Sequence, residues 1–366
     1  MKFDIEDEEE EEKSSSKSGN PQMIYIILAG FLVVAAIILV VTYMVLKSGN
    51  SNKPTPQVPV TTPTPTQPVE VKKLTVFDEE SNERPIAVMI DNAIGDAKHA
   101  GLMDSYLNYE IIVEGGITRI MAIYKDKDVN LIGPIRSSRH YFLDYALESD
   151  AIYVHYGWSP YAEDDITRLS IDNINGLTDP APFRRDKNSV APHNVFTRMS
   201  YLKSFLDTSG YSQESLDWKL FQYSAEEVDL TETNYIPNTA SKINIPYSAN
   251  EYRTYTYDES NGYYLRSSNG KAQYDRKSGE QLHYKNIIIE RVPNKTMDEE
   301  GRQELDTTGK GTGLFITDGY YLPITWSKST REAKTIYTFE DGTEITLNDG
   351  NTFVQIVPTD CAVSVN

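Results

Sequence analysis

The chain has 366 residues and a formal charge of -19, with 54 acidic side chains against 35 Lys and Arg. That balance argues against a dedicated duplex-DNA or polyanion binder, which needs a basic face, but leaves room for a local basic pocket. One cysteine, Cys361, excludes an internal disulfide and any cysteine-built zinc or iron–sulfur centre, and its place beside the C-terminus suits a small buried hydrophobe.

Residues 1–22 carry eight acids against three lysines and almost nothing apolar, the composition of a disordered acidic tail. Residues 23–46 contain no formal charge, and as a helix they are long enough to cross a hydrocarbon core of about 30 Å. An acidic leader and no small-residue cleavage site favour an uncleaved signal anchor over a signal peptide. Lys13 and Lys17 on one side balance Lys47 and Lys53 on the other, so orientation rests on the segment beyond the anchor. Within an expected stalk over 47–73, residues 47–69 hold six prolines among Thr, Gln and Val, an extended segment that could reach roughly 70 Å. Such a spacer serves best across a thick wall, which puts the N-terminus in the cytoplasm and the large C-terminal part outside a cell membrane crossed by a single pass.

Residues 74–226 alternate short apolar runs with helical spacing. Strands are predicted at 85–91, 120–126, 130–135 and 151–157. Helices are predicted at 137–149 behind Ser137 or Ser138 as cap, at 159–169 behind Ser159 with Pro160 in the first turn, and at 197–210 between Thr197 and Gly210. From 227 to 366 the texture changes to Tyr/Thr alternation at 251–258 and the turn dipeptides Asn261-Gly262, Asn269-Gly270, Asp318-Gly319, Asp341-Gly342 and Asp349-Gly350, the marks of successive hairpins. The predicted fold class is α+β / α/β: a membrane anchor helix, an α/β domain over 74–226, and a mostly antiparallel β domain over 227–366.

Eight of the fourteen arginines fall between 84 and 198. In IGPIRSSRH (132–140) a strand gives way to a helix, so backbone N–H groups, the Ser137 and Ser138 hydroxyls and the Arg136 and Arg139 guanidiniums could meet on one phosphate or carboxylate, with Arg119 nearby. The competing reading makes the serines helix caps and pairs the arginines with surface acids. A second set, Asp91, Glu114, His155 and His193, lies near predicted strand ends and offers acid/base or metal-ligating groups, but no HExxH or comparable spacing accompanies it. No metal or cofactor motif is present, and the lack of GxSxG argues against a serine hydrolase. The 25 tyrosines suit strands and could also stack on sugars.

RPIAVMIDN (84–92), VEGGITR (113–119), IGPIRSSR (132–139), HYGWS (155–159), FRRD (183–186) and PHN (192–194) occur in an order that resembles the YerB-like lipoprotein family of Gram-positive bacteria, and TDGYYLPITWSK (317–328) and DGNTFVQIVP (349–358) resemble its separate C-terminal domain. The resemblance implies an extracytoplasmic, membrane-attached envelope protein and supplies no activity. Family members commonly carry a lipoprotein signal, whereas this chain has an apolar segment with no cysteine after it, so lipid attachment does not carry over. Three functions are expected from these readings. The first is binding of an anionic ligand, a cell-wall polymer, anionic glycan or phosphorylated precursor, through Arg119, Arg136, Ser137, Ser138 and Arg139. The alternatives are an envelope polysaccharide-modifying enzyme using Asp91, Glu114, His155 and His193, and a scaffold that docks a protein partner through its β-rich domain.

Overall fold

The computed structural model describes residues 38–40, 42–44, 47, 72–93 and 99–366. The acidic tail, nearly all of the stalk and most of the expected anchor at 23–46 lie outside them. Residues 38–40 and 42–44 are helical, and no helix among the described residues is long and apolar enough to cross a membrane.

Residues 70–366 fold around one mixed sheet of eleven strands. Its first half is β1 (Ile86–Asp91), β2 (Leu107–Ile112), β3 (Thr118–Tyr124), β4 (Ile152–His155) and β5 (Asn173–Asn175), in the order β2-β3-β1-β4-β5. Strand β3 runs antiparallel to both β1 and β2, while β4 lies parallel to β1 and β5 parallel to β4. The second half comes from the hairpin-rich region. Counting onward, the strands of the smaller sheet are β6 (Lys242–Ser248), β7 (Glu251–Asp258) and β8 (Tyr263–Ser268); those returning to the main sheet are β9 (Asn286–Val292), β10 (Gly309–Thr317), β11 (Tyr320–Lys328), β12 (Ile336–Thr338) and β13 (Thr352–Pro358). Strand β13 lies between β9 and β2, parallel to both, with Tyr109 opposite Val354 and Ile111 opposite Ile356. The two texturally distinct regions therefore share one hydrogen-bonded sheet, and the expected boundary near 226 falls inside one unit.

Period-2 alternation separates the two faces. Ala87, Met89, Tyr109, Ile111, Met121 and Ile123 point to one side, under helix α1 (His140–Leu147) and its neighbour α2 (Pro160–Arg168). Ile86, Val88, Ile90, Ile120 and Ala122 point to the other, where α3 (Met199–Ser209) and the small sheet of β6, β7 and β8 cover them.

Several local expectations need correction. Helix α1 has Arg139 at its N-cap and no side-chain cap; Ser138 instead accepts a hydrogen bond from Tyr153 Oη at 3.0 Å. Helix α3 likewise starts without a side-chain cap, because Thr197 Oγ1 donates to Pro182 O. Ser159 does cap α2, accepting from Ala162 N, and Gly210 ends α3 with φ 82°. The segment predicted as a strand at 130–135 makes only isolated bridges, among them Ile132 to Thr197 and Ile135 to Ile90. The Gly133-Pro134 bond within it is cis, and proline has no N–H to give to a ladder.

Candidate functional site

The end of β1 fixes Asp91 in a buried position. Its Oδ1 accepts from Ala93 N at 3.0 Å, and its Oδ2 lies 2.5 Å from His193 Nδ1 and 3.3 Å from Arg136 Nε. A carboxylate only accepts, so Nδ1 is the donor of that contact. His193 reaches this place on the loop between the ribbon strands Arg184–Arg185 and Val195–Phe196, and Val195 O receives Ile135 N from the segment that ends in Arg136.

Arg119 stands directly across the β1–β3 ladder from Asp91. The residue is only 5 % exposed, and its guanidinium donates from Nη1 to the Ser137 carbonyl at 2.8 Å. No carboxylate lies within ion-pair distance of it among the described residues. Burial pushes its guanidinium down to about 10, and Arg139 and Arg136 push the same way. The Glu114 charge opposes them. Arg136 has a buried Nε without a hydrogen-bond partner.

The third arginine is differently placed. Arg139 forks onto Glu114, Nε to Oε1 at 2.5 Å and Nη2 to Oε2 at 2.9 Å, and gives Nη1 to Ser138 O. Burial alone would raise the Glu114 carboxyl; the Arg139 hydrogen bond and charge overcome that and hold it below its ordinary value. This pair is the ion pairing that the competing reading anticipated, and with the Ser138 contact three of the five N–H donors of Arg139 are engaged. Ser138 is fully buried and engaged, whereas Ser137 contributes its carbonyl to Arg119.

The four acid/base candidates are distributed among different duties. Asp91 and His193 form one pair, and Glu114 belongs to Arg139. His155 is buried between Tyr153 and Trp158, with Nδ1 2.8 Å from Gly157 O and Nε2 3.1 Å from Asn173 Oδ1, and burial lowers its proton affinity. Among the described residues no group of three or more His, Cys, Asp or Glu is placed to hold a metal ion.

Two buried polar clusters were not foreseen from the sequence. In one, Glu110 of β2 receives Arg253 Nε and Arg266 Nη2, both at 2.6 Å, together with Asn92, Thr118 and Gln355. In the other, Glu148 at the end of α1 receives Lys328 Nζ at 2.7 Å and Tyr109 Oη at 2.7 Å. The signal in the sequence was a lone acid, Glu110, within the mostly apolar strand LNYEII. Cys361 is buried as expected; burial pushes its thiol up to about 11.

A mixed sheet with few helices, and with Arg119 and Arg136 beside the Asp91–His193 pair at one strand end, defines a β-rich protein. The chain belongs to the family described as protein of unknown function (DUF3048), matching its N-terminal domain over residues 74–212 and its C-terminal domain over 243–354. It is 30% identical over 291 residues to a protein of Bacillus subtilis (strain 168) named "Putative lipoprotein YerB", covering 78% of this chain and 85% of that one. The crystal structure of YerB from Bacillus subtilis superposes with a TM-score of 0.68 at 29% identity, covering 77% of this chain and 94% of that chain.

Proposed function

We propose that this chain is a membrane-attached, extracytoplasmic envelope protein that binds an anionic ligand, a cell-wall polymer or a phosphorylated precursor, through Arg119 and Arg136. One observation carries the binding reading: Arg119 is buried, lacks a carboxylate partner among the described residues and is crowded by two further guanidiniums. Burying a cation without a counter-charge costs several kcal/mol, so such an arrangement is best supported by a ligand that supplies the missing charge. Arg139 and Glu114 serve as a neutral wall of the pocket, and Ser137 orients Arg119 through its carbonyl.

The apolar segment at 23–46 and the proline-rich stalk support attachment by a single membrane pass with the N-terminus in the cytoplasm, and the lipoprotein name of the Bacillus relative is in keeping with an extracytoplasmic site. The test is binding of teichoic acid and muropeptides to the full chain in detergent. Arg136→Ala and Arg119→Met should each weaken binding by tenfold or more. Binding that is absent, or equal in all three proteins, overturns the reading.

A further inference from the structure

We propose that the pocket beside Arg119 and Arg136 takes a phosphate monoester dianion in preference to a diester, with a proton taken up by His193 as the ligand binds. This rests on the anion-binding reading above and names its ligand class.

Among the described residues the charges at the site can be counted. Glu114 and Arg139 neutralise each other through their two-fold hydrogen bond. Arg119 and Arg136 bring two positive charges, and Asp91 removes one. With a neutral imidazole the remaining charge matches a monoanion, such as a carboxylate or a phosphodiester. A monoester near neutral pH carries close to two negative charges, and one further proton on the protein balances it.

His193 is the group built to take that proton. Its Nδ1–H is held by Asp91, a carboxylate with almost no exposed surface, and its side chain is one-third exposed, so the second nitrogen can gain a proton and donate to a ligand. Among the described residues the charged groups around it are identifiable. Arg136 approaches the same Asp91 oxygen. On its own loop stand Arg185, bonded to Asn194 Oδ1 at 2.8 Å, then Asp186 and Lys187. From the β-rich half Arg276 pairs with Asp186 at 2.6 Å. A second imidazole, that of His99, lies with Nε2 2.8 Å from the Asp91 backbone carbonyl, but it is fully buried and burial pushes it down to about 4, so it stays neutral.

Sulfate is the probe, because it is a dianion with no proton of its own to exchange near neutral pH. Titration calorimetry of the full chain in detergent, in two buffers of different ionisation enthalpy, reads the protons bound per sulfate. Wild type should take up about one proton per sulfate, and His193→Gln none while binding sulfate about tenfold more weakly. Glycerol 3-phosphate should displace sulfate at a concentration at least about tenfold lower than dimethyl phosphate in wild type, with that preference collapsing in His193→Gln. Sulfate binding without proton uptake, or uptake unchanged in His193→Gln, overturns the inference, as does equal competition by the two phosphates. Those results leave anion binding itself intact, whereas failure of every anion to bind removes the reading beneath it. Vesicles of phosphatidic acid that compete better than glycerol 3-phosphate at equal phosphate concentration place the monoester on a lipid; the opposite ranking places it on a soluble or polymer-borne group.

Discussion

Glu110 Oε1 accepts Arg253 Nε at 2.6 Å, and neither side chain has exposed surface. One residue lies on β2, in the first half of the chain, and the other on β7, in the hairpin-rich half. Together with Arg266 on β8 they form a charged link between the main sheet and the sheet that covers it. Removing one partner of such a pair strands the others in the interior, at a cost of about 3–5 kcal/mol. Glu110→Ala is therefore expected to lower stability by that amount, and in a single cooperative transition, because both halves share the main sheet. Urea unfolding followed by fluorescence and by circular dichroism checks this. Two separated transitions in wild type would show that the halves fold independently.

The same carboxyl sets an acid limit. Burial pushes Glu110 up, but the Arg253 and Arg266 guanidiniums outweigh burial and hold it at about 2, below its ordinary value of 4.5. A depressed carboxyl contributes stability above the unfolded value, and that contribution is lost as pH falls from about 4.5 toward 2. Acid unfolding should therefore be steep in this window for wild type and shallower for Glu110→Gln, whose baseline stability is already reduced.

Glu290 has the opposite sign. Fully buried and bonded to the hydroxyls of Tyr145 and Tyr337, it is pushed up by burial to about 7, with Tyr337 and Tyr145 hydrogen bonds opposing and the Glu148 charge assisting. Because the folded protein holds this proton more tightly than the unfolded chain does, stability falls as pH rises from about 4.5 to about 7. Glu290→Gln keeps both hydroxyl partners and loses the titration. It should be more stable than wild type at pH above 7, by a gain on the order of 1–3 kcal/mol, and nearly equal to it near pH 4.5. Thermal melting across this range measures the difference.

Arg119→Met should separate function from stability. It removes a buried cation that has no carboxylate partner among the described residues and fills the space with an apolar side chain, at the loss of one hydrogen bond to Ser137 O. Stability should stay within about 1 kcal/mol of wild type or rise, while anion binding weakens by tenfold or more. A melting point that drops as far as that of Glu110→Ala would assign Arg119 to the scaffold.

Gly133→Ala should damage the site through the backbone. Gly133 has φ 144°, and an added Cβ would come within 2.8 Å of Phe196 Cδ1 and 2.9 Å of Val195 O. Both neighbours belong to the ribbon that carries the His193 loop. A loss of about 2–4 kcal/mol is expected, together with weaker anion binding, measured by melting and by sulfate titration.

Local features were legible in the residues because they depend on near neighbours. The proline and serine that open α2, the glycine that ends α3 and the turn dipeptides at 261–262, 269–270 and 318–319 all act within a few positions, and the structure bears them out, whereas the strands on either side of Asp349-Gly350 pair elsewhere. The arginine cluster was legible as a concentration of charge beside a strand end, and the six ordered phrases placed the chain in its family. The caps expected from Ser137 or Ser138 and from Thr197 do not form because tertiary partners, Tyr153 and the Pro182 carbonyl, compete for Ser138 and Thr197.

Composition and pattern by themselves divided the chain into an acidic segment, an uncharged segment, a proline-rich segment and a remainder patterned for folding, since each is read from residue type alone. Only the tertiary structure decided that β13 inserts beside β2, that Arg139 pairs with Glu114 while Arg119 has no carboxylate within ion-pair distance among the described residues, and that His193 closes on Asp91 102 positions away. Those outcomes depend on which distant groups share a low-dielectric space, and pairing of that kind leaves no periodic trace along the chain.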